Sequence, residues 1–472
     1  MYNKKNTSFD FYKSSFESDK AYKTLDEIIQ WINLHKKAVN LEIKKTSFSD
    51  LELWSFNDYN LSHASGKFFS IDGIRVNTNW GEKSTWDQPI INQPEVGILG
   101  FIVKNINGIL HFLVQAKIEP GNINYVQISP TLQATKSNYT QVHKGKKPKY
   151  LEYFLKAKPK EKLIDQLQSE QGARFLKKRN RNIIIKVKED IEVYENYTWV
   201  TLYQIKKLMT HDNLVNMDTR SVISGISYGS FKNLTIDYFK MLALEKDNIK
   251  NKFFISFTSK NRALNSFNHI SNSLTNIKSS FDLNVTKIPL KNLKDWNIGS
   301  YEIFHQEKKY FKIIAVNVEI SGREVKNWCQ PMIEPINEGL CAFICKEING
   351  ILHFIVQMKL ECGNHDIIEF APTVQTLTGN YKESESQELP FLKHVINAKT
   401  EKIIYCSKQS EEGGRFYNEE NKNLIILADD EIDIELPKNY IWMTLYQLTV
   451  FLRQNNYLNV QARNLISLLE VN

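Results

Sequence analysis

The stretch Asn107–Asn122, NGILHFLVQAKIEPGN, returns 242 residues later at Asn349–Asn364 as NGILHFIVQMKLECGN. Within it Leu110, Phe112, Val114, Ala116 and Ile118 alternate with His111, Gln115, Lys117 and Glu119, the two-residue period of a strand. The second copy keeps the alternation, with His353, Gln357, Lys359 and Glu361 on the polar side. A half-solvated strand requires polar side chains there, but not the same ones after duplication. Their retention marks Gln115, Lys117, Glu119, Lys359 and Glu361 as residues that face a ligand, whereas the histidines read as satisfied structural groups.

The repeat extends outward from this strand. Trp86-Asp-Gln-Pro answers Trp328-Cys-Gln-Pro, and SPTLQATKSNY from Ser129 answers APTVQTLTGNY from Ala371. SEQGARF (Ser169–Phe175) answers SEEGGRF (Ser410–Phe416), and Arg220 answers Arg463. A period this long is a duplicated domain and not a solenoid. The expected organisation is an N-terminal extension over 1–24, one module over 25–224, a linker over 225–266 and a second module over 267–472. The expected fold class is α+β. Helices are expected over DEIIQWINLHKKA from Asp26, over PKYLEYFLKA, and after Thr201 as N-cap. GKFFSIDGIRV, EVGILGFIVK, NYVQISPTLQ and NRNIIIKV supply further strands.

A length of 472 residues suits two or three domains, and 42% hydrophobic with 12% aromatic residues excludes a disordered or collagenous chain. The net charge of +8 is too mild and too mixed for a dedicated nucleic-acid binder. No apolar run approaches the roughly 18 residues that cross a bilayer. The polar first residues carry no signal-peptide pattern, so a cytoplasmic protein without a membrane partner is expected. The five cysteines are odd in number and contain no CxxC pair, which argues against a disulfide framework or a thiolate metal site. No metal and no cofactor are expected.

Several residues carry possible chemistry. Thr131, Gln133, Asn138 and Tyr139, with Thr373, Gln375 and Tyr381 in the second copy, offer the hydroxyl, amide and aromatic groups that a sugar or nucleobase needs. Arg174 and Arg415 stand beside glycines, where a phosphate can approach and be gripped bidentately. Arg174 is followed by the basic run LKKRNRN, which includes Lys177, while the second copy has YNEENKN. Trp86 and Trp328 are placed either to stack on a base or to pack in the core. His143 stands opposite Glu385 of the second copy and is an acid/base candidate.

Taken together, W-x-Q-P, LHFLVQAKIEPGN, VQISPTLQATKSNYTQVHKG, KYLEYF, SEQGARFLKKRNRN and VNMDTRSVIS resemble the NDP-hexose 2,3-dehydratases of deoxysugar biosynthesis. GREVKNWCQP, HFIVQMKLECGN and EFAPTVQ resemble that family's second half. The resemblance implies two Nudix-like α/β modules, a homodimer, and a pocket in each module for a thymidine-diphosphate sugar. It further implies loss of water across C2 and C3 of an NDP-4-keto-6-deoxyglucose such as dTDP-4-keto-6-deoxyglucose, the product passing to an NADPH-dependent 3-ketoreductase. Such a site needs a base, a proton donor and a diphosphate clamp. Glu119, His143 and Tyr139 are the acid/base candidates; Arg174, Lys117 and Lys177 are placed to meet phosphate, and Trp86 or Tyr139 to stack on thymine. Arg220 joins them as a substrate-binding candidate. The R-E-x-x-E-E metal helix of Nudix pyrophosphatases is missing, since Arg323-Glu324 lacks the later carboxylates. The basic run and His143 favour the first module as catalytic, with Arg174 and Glu119 serving one site; the second module, with Glu369 in place of Gln127 and with Glu361 and Arg323, stays open as the active one. The competing reading is a non-catalytic NDP-sugar-binding protein with two pockets.

Overall fold

A computed structural model describes residues 4–136, 147–228, 248–320, 327–377, 389–429 and 431–471. Asn138, Tyr139, His143, Arg323 and Tyr381 lie outside the described residues. The first half contributes β1 (Leu41–Thr46), β2 (Trp54–Phe56), β3 (Asn60–His63), β4 (Ser70–Thr78), β5 (Thr85–Asn92), β6 (Gly97–Ile106), β7 (Ile109–Ile118), β8 (Val126–Ser129), β9 (Leu132–Ala134), β10 (Lys162–Ser169), β11 (Arg179–Val187) and β12 (Tyr197–Thr201). The second half repeats the series as β13 (Leu283–Ile288), β14 (Trp296–Ile298), β15 (Glu302–His305), β16 (Phe311–Ile320), β17 (Asn327–Pro335), β18 (Gly339–Ile348), β19 (Ile351–Leu360), β20 (Ile368–Ala371), β21 (Val374–Thr376), β22 (Ile403–Ser410), β23 (Glu420–Leu427) and β24 (Tyr440–Thr444).

Each half builds one large mixed sheet, ordered β10-β11-β6-β7-β12 in the first and β20-β19-β18-β23-β22 in the second. The pairs β6·β11 and β18·β23 are parallel, and the other pairs are antiparallel. Beyond their turns β6 and β7 splay apart, and β8 and β9 pair with their separated ends. Thr131 bridges the splay: its hydroxyl accepts from the Ile102 N–H at 2.9 Å and donates to the Leu113 carbonyl. Thr373 repeats this between Ile344 and Ile355.

The polar side of β7 is not open to water. Leu110, Phe112, Val114 and Ala116 enter a core shared by both halves, while Leu113 enters a second core under the helix Leu151–Lys156. A sheet covered on both faces must satisfy its polar groups internally. His111 does so, its Nε2 accepting from the Tyr22 N–H at 3.0 Å and its Nδ1 facing the Ile109 carbonyl at 3.0 Å. The helix Leu202–Leu208 begins at Thr201 in a capping box with Gln204, as its sequence requires.

The smaller sheets hold the main departure from two separate modules. β1 of the first half pairs along its whole length with β16 of the second, Leu41 opposite Ile320, and β13 of the second half pairs with β4 of the first, Leu283 opposite Thr78. The halves thus exchange their first strands. The two small sheets share one core, in which Trp54, Ile71 and Phe175 meet Trp296, Ile313 and Phe416.

Structural equivalence also reaches further back than the sequence repeat. Ser14, at the end of the helix Lys4–Ser14, donates to the Leu110 carbonyl at 2.5 Å, and Ser256 of the helix Ile249–Thr258 donates to Leu352 at 2.6 Å. Phe11 lies against Phe112 as Phe253 lies against Phe354. Segments read from sequence as an extension and a linker therefore supply equivalent helices to the two large sheets.

Candidate active site

The chain leaves β7 through Glu119-Pro120-Gly121-Asn122 and meets the SEEGGRF loop of the other half. The Gly121 N–H donates to Gly413 O, and the Asn418 N–H donates to Gly121 O, both at 2.7 Å. Gly363 pairs in the same way with Gly172 and Lys177. A Cβ on Gly121 would stand 1.7 Å from the Phe416 carbonyl oxygen, and one on Gly363 would stand 1.9 Å from that of Phe175, so only glycine admits this crossing. The W-x-Q-P motif supports each loop from its own half. Trp86 Nε1 donates to Gln88 Oε1 at 2.9 Å, and Gln88 Nε2 donates to Ala173 O at 3.0 Å; Trp328, Gln330 and Gly414 repeat the chain.

The crossing sends each loop arginine into the other half. Arg415 lies over the Phe69 ring at 4.3 Å, and Arg174 over Phe311 at 4.0 Å. Arg415 feels the charges of Glu119, Glu412 and Glu95, whereas Arg174 feels those of Glu361, Glu411 and Glu419. The sequence-based pairing of Arg174 with Glu119 is therefore corrected: Glu119 is served by Arg415, and Arg174 serves Glu361. Local patterns carry no signal for which half a loop packs against.

Two composite clusters result. In the first, Glu119 accepts from Lys117 Nζ and Gln133 Nε2, both at 2.6 Å, and from Asn122 Nδ2 at 3.3 Å. Burial alone would raise its carboxyl, but the Lys117 charge and these hydrogen bonds outweigh that and hold it below the usual range. Glu412 and Asp218 face the same group of charges. Burial, opposed by Arg415 but reinforced by Glu170 and Glu119, pushes Glu412 up to about 7. Burial and then Glu412, Glu119 and Glu170 raise Asp218 well above the carboxylate range. One carboxyl held low thus stands among carboxyls pushed up, the contrast that acid–base chemistry needs.

The second cluster differs in detail. Glu361 accepts from Gln375 Nε2 at 2.7 Å, but Lys359 turns to the Gln375 carbonyl at 3.0 Å. Burial raises Glu361, and it pushes Glu411 to about 8 and Glu419 to about 7. Glu361 Oε2, both Glu419 oxygens, Arg174 Nε and Nη2, and both ends of Gln171 are buried without a hydrogen-bond partner among the described residues. Such a concentration of unmatched groups marks a place where a polar ligand completes the bonding. Glu170 Oε2, Asn122 Oδ1 and Arg415 Nε mark the first cluster similarly.

Other sequence candidates fall elsewhere. Thr131 and Thr373 have donor and acceptor committed to the sheet backbone. Arg220, 1% exposed, donates to Gln409 Oε1 at 2.6 Å and Ser410 O at 2.5 Å, and its Nε is buried without a hydrogen-bond partner among the described residues. Trp86 packs with Ile74, Val76 and Cys362, so it borders the second cluster, while Trp328 packs with Met332 and Tyr417 near the first. Gln115 is half-buried on β7, and Lys177 is exposed. Within the basic run, Lys178 is the residue that turns inward, donating to the Glu95 carbonyl and sensing Glu170 and Glu412. Its counterpart is Glu419. Sequence reasoning missed Glu170, Asn216, Asp218, Glu411, Glu412 and Glu419, and had Lys178 only as a member of the basic run. The pairs Glu170/Glu411 and Asn216/Asn459 survive in both halves, the same signal that exposed Glu119 and Glu361.

Two surface clefts lie away from both clusters: one of about 450 Å³ beside Tyr153 and Val187, another of about 420 Å³ between Lys45, Phe304 and Pro335. No helix among the described residues is long and apolar enough to cross a membrane.

The model of the NDP-hexose 2,3-dehydratase family matches residues 25–226 and again residues 268–469, once over each half. The chain belongs to that family. It is 42% identical over 431 residues to the dTDP-4-dehydro-6-deoxy-α-D-glucopyranose 2,3-dehydratase of Saccharopolyspora spinosa, covering 91% of this chain and 87% of the relative. The enzyme of the same name from Amycolatopsis orientalis is 39% identical over 96% of this chain and 92% of its own length. That from Streptomyces violaceoruber is 38% identical over 93% and 95%.

Proposed function

We propose that this NDP-hexose 2,3-dehydratase family member eliminates water across C2 and C3 of dTDP-4-keto-6-deoxyglucose, giving the 3,4-diketo-2,6-dideoxy sugar nucleotide. The observation that carries this reading is the match of the family over both halves, with relatives of that activity alike over more than nine-tenths of the chain. The C4 ketone acidifies the C3 proton, so a base at C3 gives an enediolate. A proton donor then assists departure of the C2 hydroxyl, and the enol left behind tautomerises to the 3-ketone.

The first cluster is our choice for the chemistry. Glu119 is the ionised base, and Lys117, 2.6 Å from it, is the cation nearest to take up enediolate charge. Glu412, with Asp218 behind it, is the proton donor, its pKa of about 7 matched to neutral pH. Arg415 and Lys178 are the cations for the diphosphate. Trp328 borders this cluster, and His143, Tyr139 and Asn138 remain candidates from the sequence. The second cluster, with Arg174, Lys359, Glu361, Gln375 and Trp86, is read as a second sugar-nucleotide site. We also read each half as a Nudix-like module, the enzyme as a cytoplasmic homodimer without cofactor, and an NADPH-dependent 3-ketoreductase as the next enzyme. The mixed sheet with its central parallel pair supports the Nudix-like reading.

The test couples dTDP-4-keto-6-deoxyglucose turnover to a 3-ketoreductase and follows NADPH oxidation. Nucleotide binding without NADPH consumption overturns the enzyme reading in favour of a binding protein. Glu119→Gln is expected to slow turnover by on the order of 10²-fold or more. If Glu361→Gln and Arg174→Lys cost more than Glu119→Gln and Arg415→Lys, the second cluster is the catalytic one.

A further inference from the structure

The helix Met217–Ser224 joins the two walls of the first cluster, although they come from different halves. Its N-cap Asn216 accepts from the Thr219 N–H at 2.9 Å, while its Nδ2 donates to Gln133 Oε1 at 3.2 Å. Gln133 in turn donates to Glu119 at 2.6 Å, so the start of the helix is tied to the reacting carboxylate. One turn on, Arg220 leaves the first half altogether. Its guanidinium holds Gln409 Oε1 at 2.6 Å and Ser410 O at 2.5 Å, at the root of the loop that carries Glu412 and Arg415. That loop is stiff: the N–H groups of Arg415 and Phe416 both donate to Glu412 O at 3.0 Å, and Gln330 holds Gly414 O at 2.9 Å. A displacement at Ser410 is therefore passed to Arg415.

The second half repeats the device. Asn459 Nδ2 donates to Gln375 Oε1 at 2.7 Å, and Gln375 donates to Glu361 at 2.7 Å. Arg463 holds the Ser169 carbonyl at the root of the loop that carries Arg174. The Asn–Gln–Glu chain and the arginine's hold on a carbonyl of the other half recur, whereas the second contact differs, Arg463 Nη1 donating to Leu458 O of its own half.

We propose that Arg220 is a positioning residue for the reaction: acting from the first half, it sets where Glu412 and Arg415 of the second half stand relative to Glu119. It does so through Nη1 and Nη2, which are both committed to protein, from a side chain only 1% exposed. A lysine keeps the charge but loses the planar fork that grips a side-chain amide and a carbonyl together. This inference rests on the dehydratase reading.

The experiment compares kcat and KM for dTDP-4-keto-6-deoxyglucose in Arg220→Lys, Arg415→Lys, Arg174→Lys and the doubles, all in the full chain. Misplacement of a catalytic wall by about 1 Å costs on the order of 10²-fold, so Arg220→Lys is expected to lose that much in kcat/KM, with KM raised. The Arg220→Lys Arg415→Lys double is expected to lose less than the product of the two single losses, because part of the Arg220 effect runs through Arg415, while the losses of Arg220→Lys and Arg174→Lys multiply. Independent, multiplying effects of Arg220→Lys and Arg415→Lys overturn the inference, as does a fall in active fraction with unchanged KM. Should Arg220→Lys not fold, Gln409→Ala, which removes the Nη1 acceptor and spares the Ser410 contact, is read in the same way. No turnover by the unmodified chain sinks the dehydratase reading itself; turnover with multiplying effects sinks this inference alone.

Discussion

Glu369→Gln tests whether buried carboxyls between the halves keep their protons at neutral pH. Glu369 is 1% exposed; its Oε2 accepts from Ser169 Oγ at 2.7 Å and its Oε1 has no partner among the described residues. Burial, only partly offset by Ser169 and Arg463, pushes it from 4.5 to about 8. The folded chain therefore retains a proton that the unfolded chain releases, and stability falls as pH rises from about 4.5 to about 8. At 1.36 kcal/mol per pH unit the accumulated cost is about 1 kcal/mol at pH 5 and about 3 kcal/mol at pH 7. A glutamine has no such slope, and the first half already uses one: Gln127 Oε1 accepts from Ser410 Oγ at 2.9 Å in the equivalent place. Glu369→Gln is thus expected to gain about 2 kcal/mol more at pH 7 than at pH 5. The assay is urea unfolding from pH 5 to pH 8, with reversibility checked by refolding. A substitution effect that is flat with pH, or one that turns destabilising toward pH 8, refutes the reasoning.

Gly363→Ala places a methyl 1.9 Å from the Phe175 carbonyl oxygen and is expected to cost about 3 kcal/mol; an unchanged urea midpoint contradicts the loop crossing. Cutting the chain between residues 228 and 248 leaves β1 paired with β16 and β13 with β4. The two fragments are expected to co-elute on size exclusion without denaturant and neither to remain soluble alone; separate elution of two folded fragments counts against the exchange.

The duplication was legible because Asn107–Asn122 and Asn349–Asn364 repeat almost letter for letter. So were β7, the Thr201 cap and the helix Leu25–Ala38, whose periodicities are local. The exchanged strands were not legible, since LEIKKT at Leu41 and LNVTKI at Leu283 show a strand pattern that is silent about its partner. The same silence hid the site. Glu119 and Lys117 were found through their strand, but Glu412 sits opposite Gln171 and Asp218 opposite Gln461, so a search for residues kept in both halves passes over them. Arg174 and Arg415 were found as residues but placed with the carboxylates of their own halves, whereas the chain closes over itself so that each lies near the other half's.

The strand exchange makes this chain the covalent equivalent of a domain-swapped dimer. In a swap between separate molecules, association competes with dilution; here the effective concentration of each donated strand is fixed by the connecting chain. A symmetric dimer must also repeat every substitution at both of its sites. The tethered pair escapes that constraint, which is what allows a lysine at 178 where the other half carries glutamate at the matching position 419, so that the two clusters differ in charge within one framework.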